Sequence, residues 1–233
     1  MRIAILMANT DESAFAQRHP KDGEKFAALL AKARPDWTYT SYSVKDGIFP
    51  KDLADFDGAL ITGSPASVRD NALWIALLEA VVQQMHDKAM PLFGTCFGHQ
   101  LIAQALGGRV GDNPDGFRLG ATVTELRGTP VAVYAAHQEQ VVTPPPGAEI
   151  IAVTPGCAHA GFAIGHQIET TQYHPEMSRA FFTALVDAFA PALGDTVTAR
   201  ARDSLTTPVD MDAWATRIAQ FFETAHAARQ GEA

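Results

Sequence analysis

The chain has 233 residues, of which 47% are hydrophobic and 19% charged, with a net charge of −8 and a pI near 5.4. That is enough chain for one well-filled core, and the acidic balance excludes attachment to nucleic acid or an anionic membrane by bulk charge. Two cysteines, Cys96 and Cys157, are too few for a disulfide framework, so a reduced, cytoplasmic setting with a usable thiol is expected.

In chain order, residues 2–7 are a short apolar run that reads as a buried opening strand, too short for a signal-peptide core. No run approaches the ~18 consecutive apolar residues of a bilayer span. Phe26, Leu29, Leu30 and Ala33 recur at helical steps over 23–33, and Pro35 stops that helix. Residues 37–44 alternate large and polar side chains as a strand does. Residues 59–62 form a short apolar strand ending at Gly63-Ser64-Pro65, and 71–88 an amphipathic helix. Residues 91–94 form another short strand, and 100–106 a helix closed by Gly107-Gly108. Strand and helix thus alternate with short connections. The pattern predicts an α/β fold with a doubly wound, mostly parallel sheet, whose ligands sit beyond the carboxyl ends of its strands.

Beyond residue 120 the texture changes. Short strands are expected at 121–126, 131–135, 149–153, 161–164 and 167–173, as antiparallel additions to the sheet. A helix follows at 177–189, then a polar connector at 191–208 with room for some helix, then an amphipathic helix at 211–228. The division is a domain at 1–190 and an appendage at 191–233. Trp214, Ile218, Phe221 and Phe222 form a stripe on the last helix that either packs on the domain or serves a partner or a homodimer.

Gly94-Thr95-Cys96-Phe97-Gly98 has the form Gly-x-nucleophile-x-Gly between a strand and a helix. Small flanking residues allow the sharp turn that exposes a nucleophile, and the following helix points its N–H groups and positive dipole end at the thiol. The bland alternative is a small buried core cysteine. Further on, His174-Pro175-Glu176 places a base two residues before a carboxylate able to fix its tautomer. Pro175 and Glu176 also suit a helix start, and both roles can coexist. His99 is read as packing or capping. His137 lies in a polar turn that can line the site. His19, His86, His159, His166 and His226 read as solvated or structural, and no set of ligands spells a metal site. The acid follows the histidine, which disfavours an α/β-hydrolase, where it lies between nucleophile and histidine.

These segments resemble class I glutamine amidotransferases, in particular stand-alone proteins similar to the amidotransferase domain of GMP synthase. The resemblance lies in residues 94–108, in Gln172-Tyr173-His174-Pro175-Glu176, in Ile61-Thr62-Gly63-Ser64-Pro65-Ala66-Ser67 and in Ala136-His137-Gln138-Glu139-Gln140-Val141, in the family's order. It implies a flavodoxin-like fold with Cys96 as nucleophile, His174 as base then acid and Glu176 as its orienting carboxylate. It also implies oxyanion donors at the N–H groups of Ser64 and Phe97, with Gly63 permitting the turn. Gln100, His137 and Glu139 would hold the amino-acid end of a glutamine or γ-glutamyl substrate. Ser64 stands where the family commonly has glycine, Ala136 where it has serine, and Glu139 where it has aspartate. The chemistry calls for no cofactor. About forty residues follow Phe189, too few for an ATP-binding synthetase domain. The resemblance therefore leaves a free-standing γ-glutamyl hydrolase, an ammonia-delivering subunit of a separate synthetase, or a catalytically silent module of the same fold.

Overall fold

A computed structural model describes residues 1–231; the last two residues of the expected appendage lie outside it. The parallel part of the sheet comprises β1 (Arg2–Met7), β2 (Thr38–Ser43), β3 (Gly58–Ile61), β4 (Leu92–Thr95) and β11 (Ile168–Thr171). The antiparallel part comprises β6 (Arg118–Leu126), β7 (Thr129–His137), β9 (Glu149–Thr154) and β10 (Cys157–Ile164). Together they make one nine-stranded sheet in the order β2-β1-β3-β4-β11-β10-β9-β6-β7. The first five positions follow the flavodoxin-like doubly wound order. A second, two-stranded sheet, β5 (Arg109–Asp112) with β8 (Glu139–Thr143), was not foreseen; it puts Glu139 on a strand.

Both faces of the parallel strands are covered, which is why β3 and β4 are buried at every residue. On one face α3 (Leu73–Asp87) and α4 (Phe97–Ala105) bury Ile75, Leu78, Val82, Leu101 and Ile102 against Leu6, Ile61 and Leu92. On the other, α2 (Asp22–Ala33) and α6 (Met211–Gln230) pack Phe26, Leu30, Ile218 and Phe222 onto Ile3, Ile5, Leu60 and Phe93. The α6 stripe is therefore covered by its own domain: Trp214, Ile218 and Phe222 are buried, and Lys32–Asp212 and Arg34–Glu223 ion pairs join the two helices.

Two expectations are corrected. The helix containing Cys96's neighbours begins at Phe97 rather than at residue 100, because the chain turns directly from β4 into it. The stretch 191–208, expected as a connector with some helix, is helical as far as Ser204. A helix, α5, runs from Arg179 to Ser204, with a break at Gly194 (φ 76°, ψ 169°) that splits it into two segments. Leu185, Val186 and Ala201 of these segments are buried with Leu119 and Tyr134 of the antiparallel strands, which supplies the tertiary contact that local sequence does not reveal. By length and composition α5 is apolar enough to cross a membrane, but Gly194 interrupts it. A short helix, α1 (Ala14–Gln17), capped by the Ser13 hydroxyl, was also unforeseen.

Candidate active site

Three chain turns at the carboxyl ends of β3, β4 and β11 meet at one point. The turn after β4 is a sharp elbow: Cys96 has φ 48° and ψ −105°, a conformation an L-residue adopts only when its surroundings impose it. The flanking glycines explain how. A Cβ on Gly98 would lie 2.4 Å from the Ile61 carbonyl oxygen, and one on Gly94 would lie 2.8 Å from the Gly98 backbone. The backbones therefore pass too closely for any side chain. Cys96 N–H donates to Thr171 carbonyl (2.9 Å), tying the elbow to β11. The thiol is not held out in solvent as the sequence suggested; the residue is 5% exposed and forms the floor of a cleft.

His174 follows β11 and is fixed by its N–H donating to Tyr134 carbonyl (2.9 Å) on β7. Its Nδ1 lies 2.8 Å from Glu176 Oε1, with both side chains buried. Burial works against a charged imidazole here, yet Glu176 and the Cys96 sulfur beside it outweigh that cost and hold the His174 pKa well above its ordinary value. Gly63, after β3, leaves the room for this ring: a Cβ there would lie 2.8 Å from His174 Cε1 and 3.5 Å from Cys96 Cβ. Cys157, by contrast, is a buried thiol whose pKa burial pushes up to about 11.

Ser64 follows β3 and lines the cleft, and Phe97 opens α4 directly after Cys96; neither N–H has a hydrogen-bond partner among the described residues. Ser64 keeps a negative φ, so a serine in place of glycine imposes no backbone strain; its hydroxyl accepts from Ala66 N–H (3.1 Å).

Gln100, His137 and Glu139 also reach this cleft. Gln100 Nε2 donates to the Glu139 carbonyl (2.7 Å) and to Gln172 Oε1 (3.2 Å). His137 is buried, with Nδ1 3.1 Å from the same Glu139 carbonyl, and burial lowers its pKa to about 4, so it is neutral at pH 7. The Glu139 carboxylate accepts from Ser67 Oγ (2.8 Å to Oε2) and pairs with Arg69, which also pairs with Asp112. The sequence reading missed Ser67 as a partner and Arg69 altogether. No spacing rule marks them, because they meet Glu139 across 70 residues of chain.

Of the remaining histidines, His19, read as solvated or structural, instead lines the cleft. His99 is fully buried, with Nδ1 2.8 Å from Thr170 Oγ1. Among the described residues no cluster of three potential metal ligands occurs. The cleft has a volume of about 660 Å3 and extends from the thiol to α1 and the start of α5.

Residues 29–188 match the sequence profile of the family Glutamine amidotransferase class-I. The chain belongs to the class I glutamine amidotransferase family. Among its relatives, Gamma-glutamyl peptidase 3 of Arabidopsis thaliana is 29% identical over 203 residues, covering 80% of this chain and 81% of that protein. GMP synthase [glutamine-hydrolyzing] of Aeropyrum pernix is 32% identical over 129 residues, 52% of this chain and 24% of that protein. The fold is that of the glutamine amido transferase from Methylobacillus flagellatus, whose crystal structure superposes with a TM-score of 0.76 at 22% identity, over 98% of this chain and 94% of that one.

Proposed function

We propose that this family member hydrolyses the γ-glutamyl amide bond of glutamine or a γ-glutamyl compound through a thioester on Cys96. The observation that carries the reading is the buried line of Glu176, the His174 ring and the strained Cys96 elbow, with Nδ1 held at 2.8 Å by the carboxylate. A carboxylate on Nδ1 fixes the tautomer and leaves Nε2 for the thiol. The raised His174 pKa makes the ring a strong acceptor for the Cys96 proton, so that the sulfur can attack as a thiolate.

In the first step Cys96 Sγ bonds to the amide carbon, and the oxyanion receives the N–H groups of Ser64 and Phe97. His174 gives its proton to the amide nitrogen; the C–N bond breaks and the amine or ammonia leaves. Water then attacks the thioester carbon while His174 takes a water proton. The C–S bond breaks, which frees glutamate and restores the thiolate. Gln100, His137 and the Ser67–Arg69–Glu139 group line the side of the cleft where the amino-acid end of the substrate would sit. No cofactor enters this scheme.

The names of the relatives favour two versions of it. The gamma-glutamyl peptidases, aligned over most of both chains, support a free-standing hydrolase. The GMP synthases, matched over only their amidotransferase part, support an ammonia-delivering subunit of a separate synthetase. The test incubates the purified protein alone with glutamine and with γ-glutamyl dipeptides, measuring ammonia or amine, with Cys96→Ala as control. Cys96-dependent release is the expected result. A fully active Cys96→Ala protein ends the proposal. An inert wild type whose thiol is alkylated no faster at pH 6.5 than a model thiol points to the silent module.

A further inference from the structure

The cleft is longer than the proposed chemistry on glutamine requires. Its volume of about 660 Å3 is that of sites for drug-sized ligands, and when ammonia leaves, nothing needs to be seated beyond His174. Yet past the thiol the cleft continues along the chain that follows His174. Its wall there is Met177, Phe181, Leu185 and Phe189, faced by Phe15 and His19 from α1. Phe15 lies 5.8 Å from Phe181, and His19 meets the Phe181 ring edge-on at 5.1 Å, while the Lys25 ammonium sits 3.7 Å from the Phe181 centroid. These rings are only half buried. An apolar surface left open inside a cleft is a cost unless a ligand covers it.

The charges around this wall cancel among themselves. Lys25 pairs with Asp22 at 2.9 Å, Lys45 with Glu12 at 2.8 Å and Asp46 at 2.9 Å, and Lys21 approaches Glu12 at 3.9 Å. Lys25 and Lys45 are thus engaged, Lys21 sits exposed at the rim, and Asp11 adds a further acid to a lining already acidic with Glu12, Asp22 and Asp46.

We infer that the amine released from the γ-glutamyl amide carries an aromatic ring and no carboxylate, and that this ring rests on the Phe15–His19–Phe181 wall. The inference depends on the proposed hydrolysis for its orientation: His174 must protonate the leaving nitrogen, so the amine half lies on the His174–Met177–Phe181 side and the glutamyl half on the Gln100–Glu139 side. The bond broken is the amide C–N bond, water supplies the hydroxyl, and the products are glutamate and the free aromatic amine. No redox partner is needed.

The experiment compares three amides of the γ-carboxyl of L-glutamate: the phenethylamide, the methylamide and the phenylalanine amide. It measures kcat/KM with the wild-type enzyme and Kd with Cys96→Ala by calorimetry. The phenethylamide is expected to exceed the methylamide by about 10- to 100-fold in both measurements, as burial of a ring-sized apolar group implies, and to exceed the phenylalanine amide as well. Phe181→Ala, and independently Phe15→Ala, should lower the phenethylamide-to-methylamide ratio at least tenfold. A ratio is insensitive to partial loss of folded protein, and Phe15 lies on a short surface helix. A methylamide or phenylalanine amide that matches the phenethylamide overturns the inference, as does a ratio unmoved by both variants. If no amide turns over, the proposed hydrolysis has failed, and the Kd series on Cys96→Ala still decides whether the wall binds the ring.

Discussion

The two walls of the cleft are built on different principles. On the Gln100 side polar groups are linked in a network, Gln100 with Glu139 and Gln172, and Glu139 with Ser67 and Arg69, while His137 Nε2 and Gln172 Nε2 are buried without a partner among the described residues. Such a wall is preorganised and selects by hydrogen-bond geometry. On the Phe181 side there are tilted and edge-on rings and self-cancelling ion pairs, which select by shape and apolar area. The reacting groups lie at the seam between them. One wall suits an invariant half of a substrate, the other a variable half.

The seam itself should be the most fragile part. Glu176→Gln is expected to lower kcat by roughly 10⁴-fold, as loss of the tautomer-fixing acid does in comparable triads. It also removes the carboxylate that raises the His174 pKa, so that pKa falls. The imidazolium is then lost at lower pH, and the alkaline limb of the kcat/KM profile moves downward in pH. An unchanged alkaline limb would separate Glu176 from the His174 ring. Gly63→Ala comes next. Its new Cβ collides with His174 Cε1 and must push the ring aside, which should cost ~10²-fold in kcat with little change in thermal stability. Full activity in this variant would mean that the ring can be repositioned freely, against the notion of a rigid seam.

Arg69→Gln probes the polar wall alone. It leaves the largely buried Glu139 carboxylate with only Ser67 to hold it. KM for a γ-glutamyl substrate should rise about tenfold with kcat nearly unchanged, the signature of lost ground-state binding. An equal rise in KM for substrates lacking the α-amino and α-carboxyl groups would remove Arg69 and Glu139 from recognition. The smallest effect concerns pH and stability. Burial holds the pKa of His99 at about 3 and of His137 at about 4. In the unfolded chain both protonate near pH 6.5. Unfolding therefore takes up protons as pH falls below about 6.5, and stability drops toward pH 4 by up to ~1.4 kcal/mol per pH unit per histidine. Urea midpoints between pH 7 and 4 should show this slope, and His99→Asn should make it shallower.

The seam was legible from sequence because each part of it is local. The Gly94-Thr95-Cys96-Phe97-Gly98 elbow and the His174-Pro175-Glu176 turn are set by residues within a few positions, where backbone sterics leave little choice. The strands β1, β3 and β4 were legible because burial on both faces makes them largely apolar, and β2 because its large and polar side chains alternate. What escaped depends on distant contacts. The β5–β8 pair is short and mixed in character, and joins residues 109–112 to 139–143. The α5 segment after Gly194 reads as a connector, since Gly and Pro punctuate it, yet Ala201 and Leu205 are buried against the antiparallel strands. Phe181, Leu185 and Phe189 lie four residues apart in the helix expected at 177–189 and were not singled out, because such a repeat is what any core-facing helix shows. Only the cleft in front of them gives it another meaning.

The packing of α6 bears on synthesis. Ile3, Ile5, Leu60 and Phe93 belong to the first hundred residues, but the ring of Phe222 that covers them, close enough to exclude a Cβ at Gly58, arrives with the last helix. At a synthesis rate of ~5–20 residues per second, the emerging strands wait several seconds with that face covered by α2 alone. During that interval the half-made sheet is a ready client for chaperones, and a ribosome that stalls before Met211 leaves a product marked for degradation by its own uncovered surface.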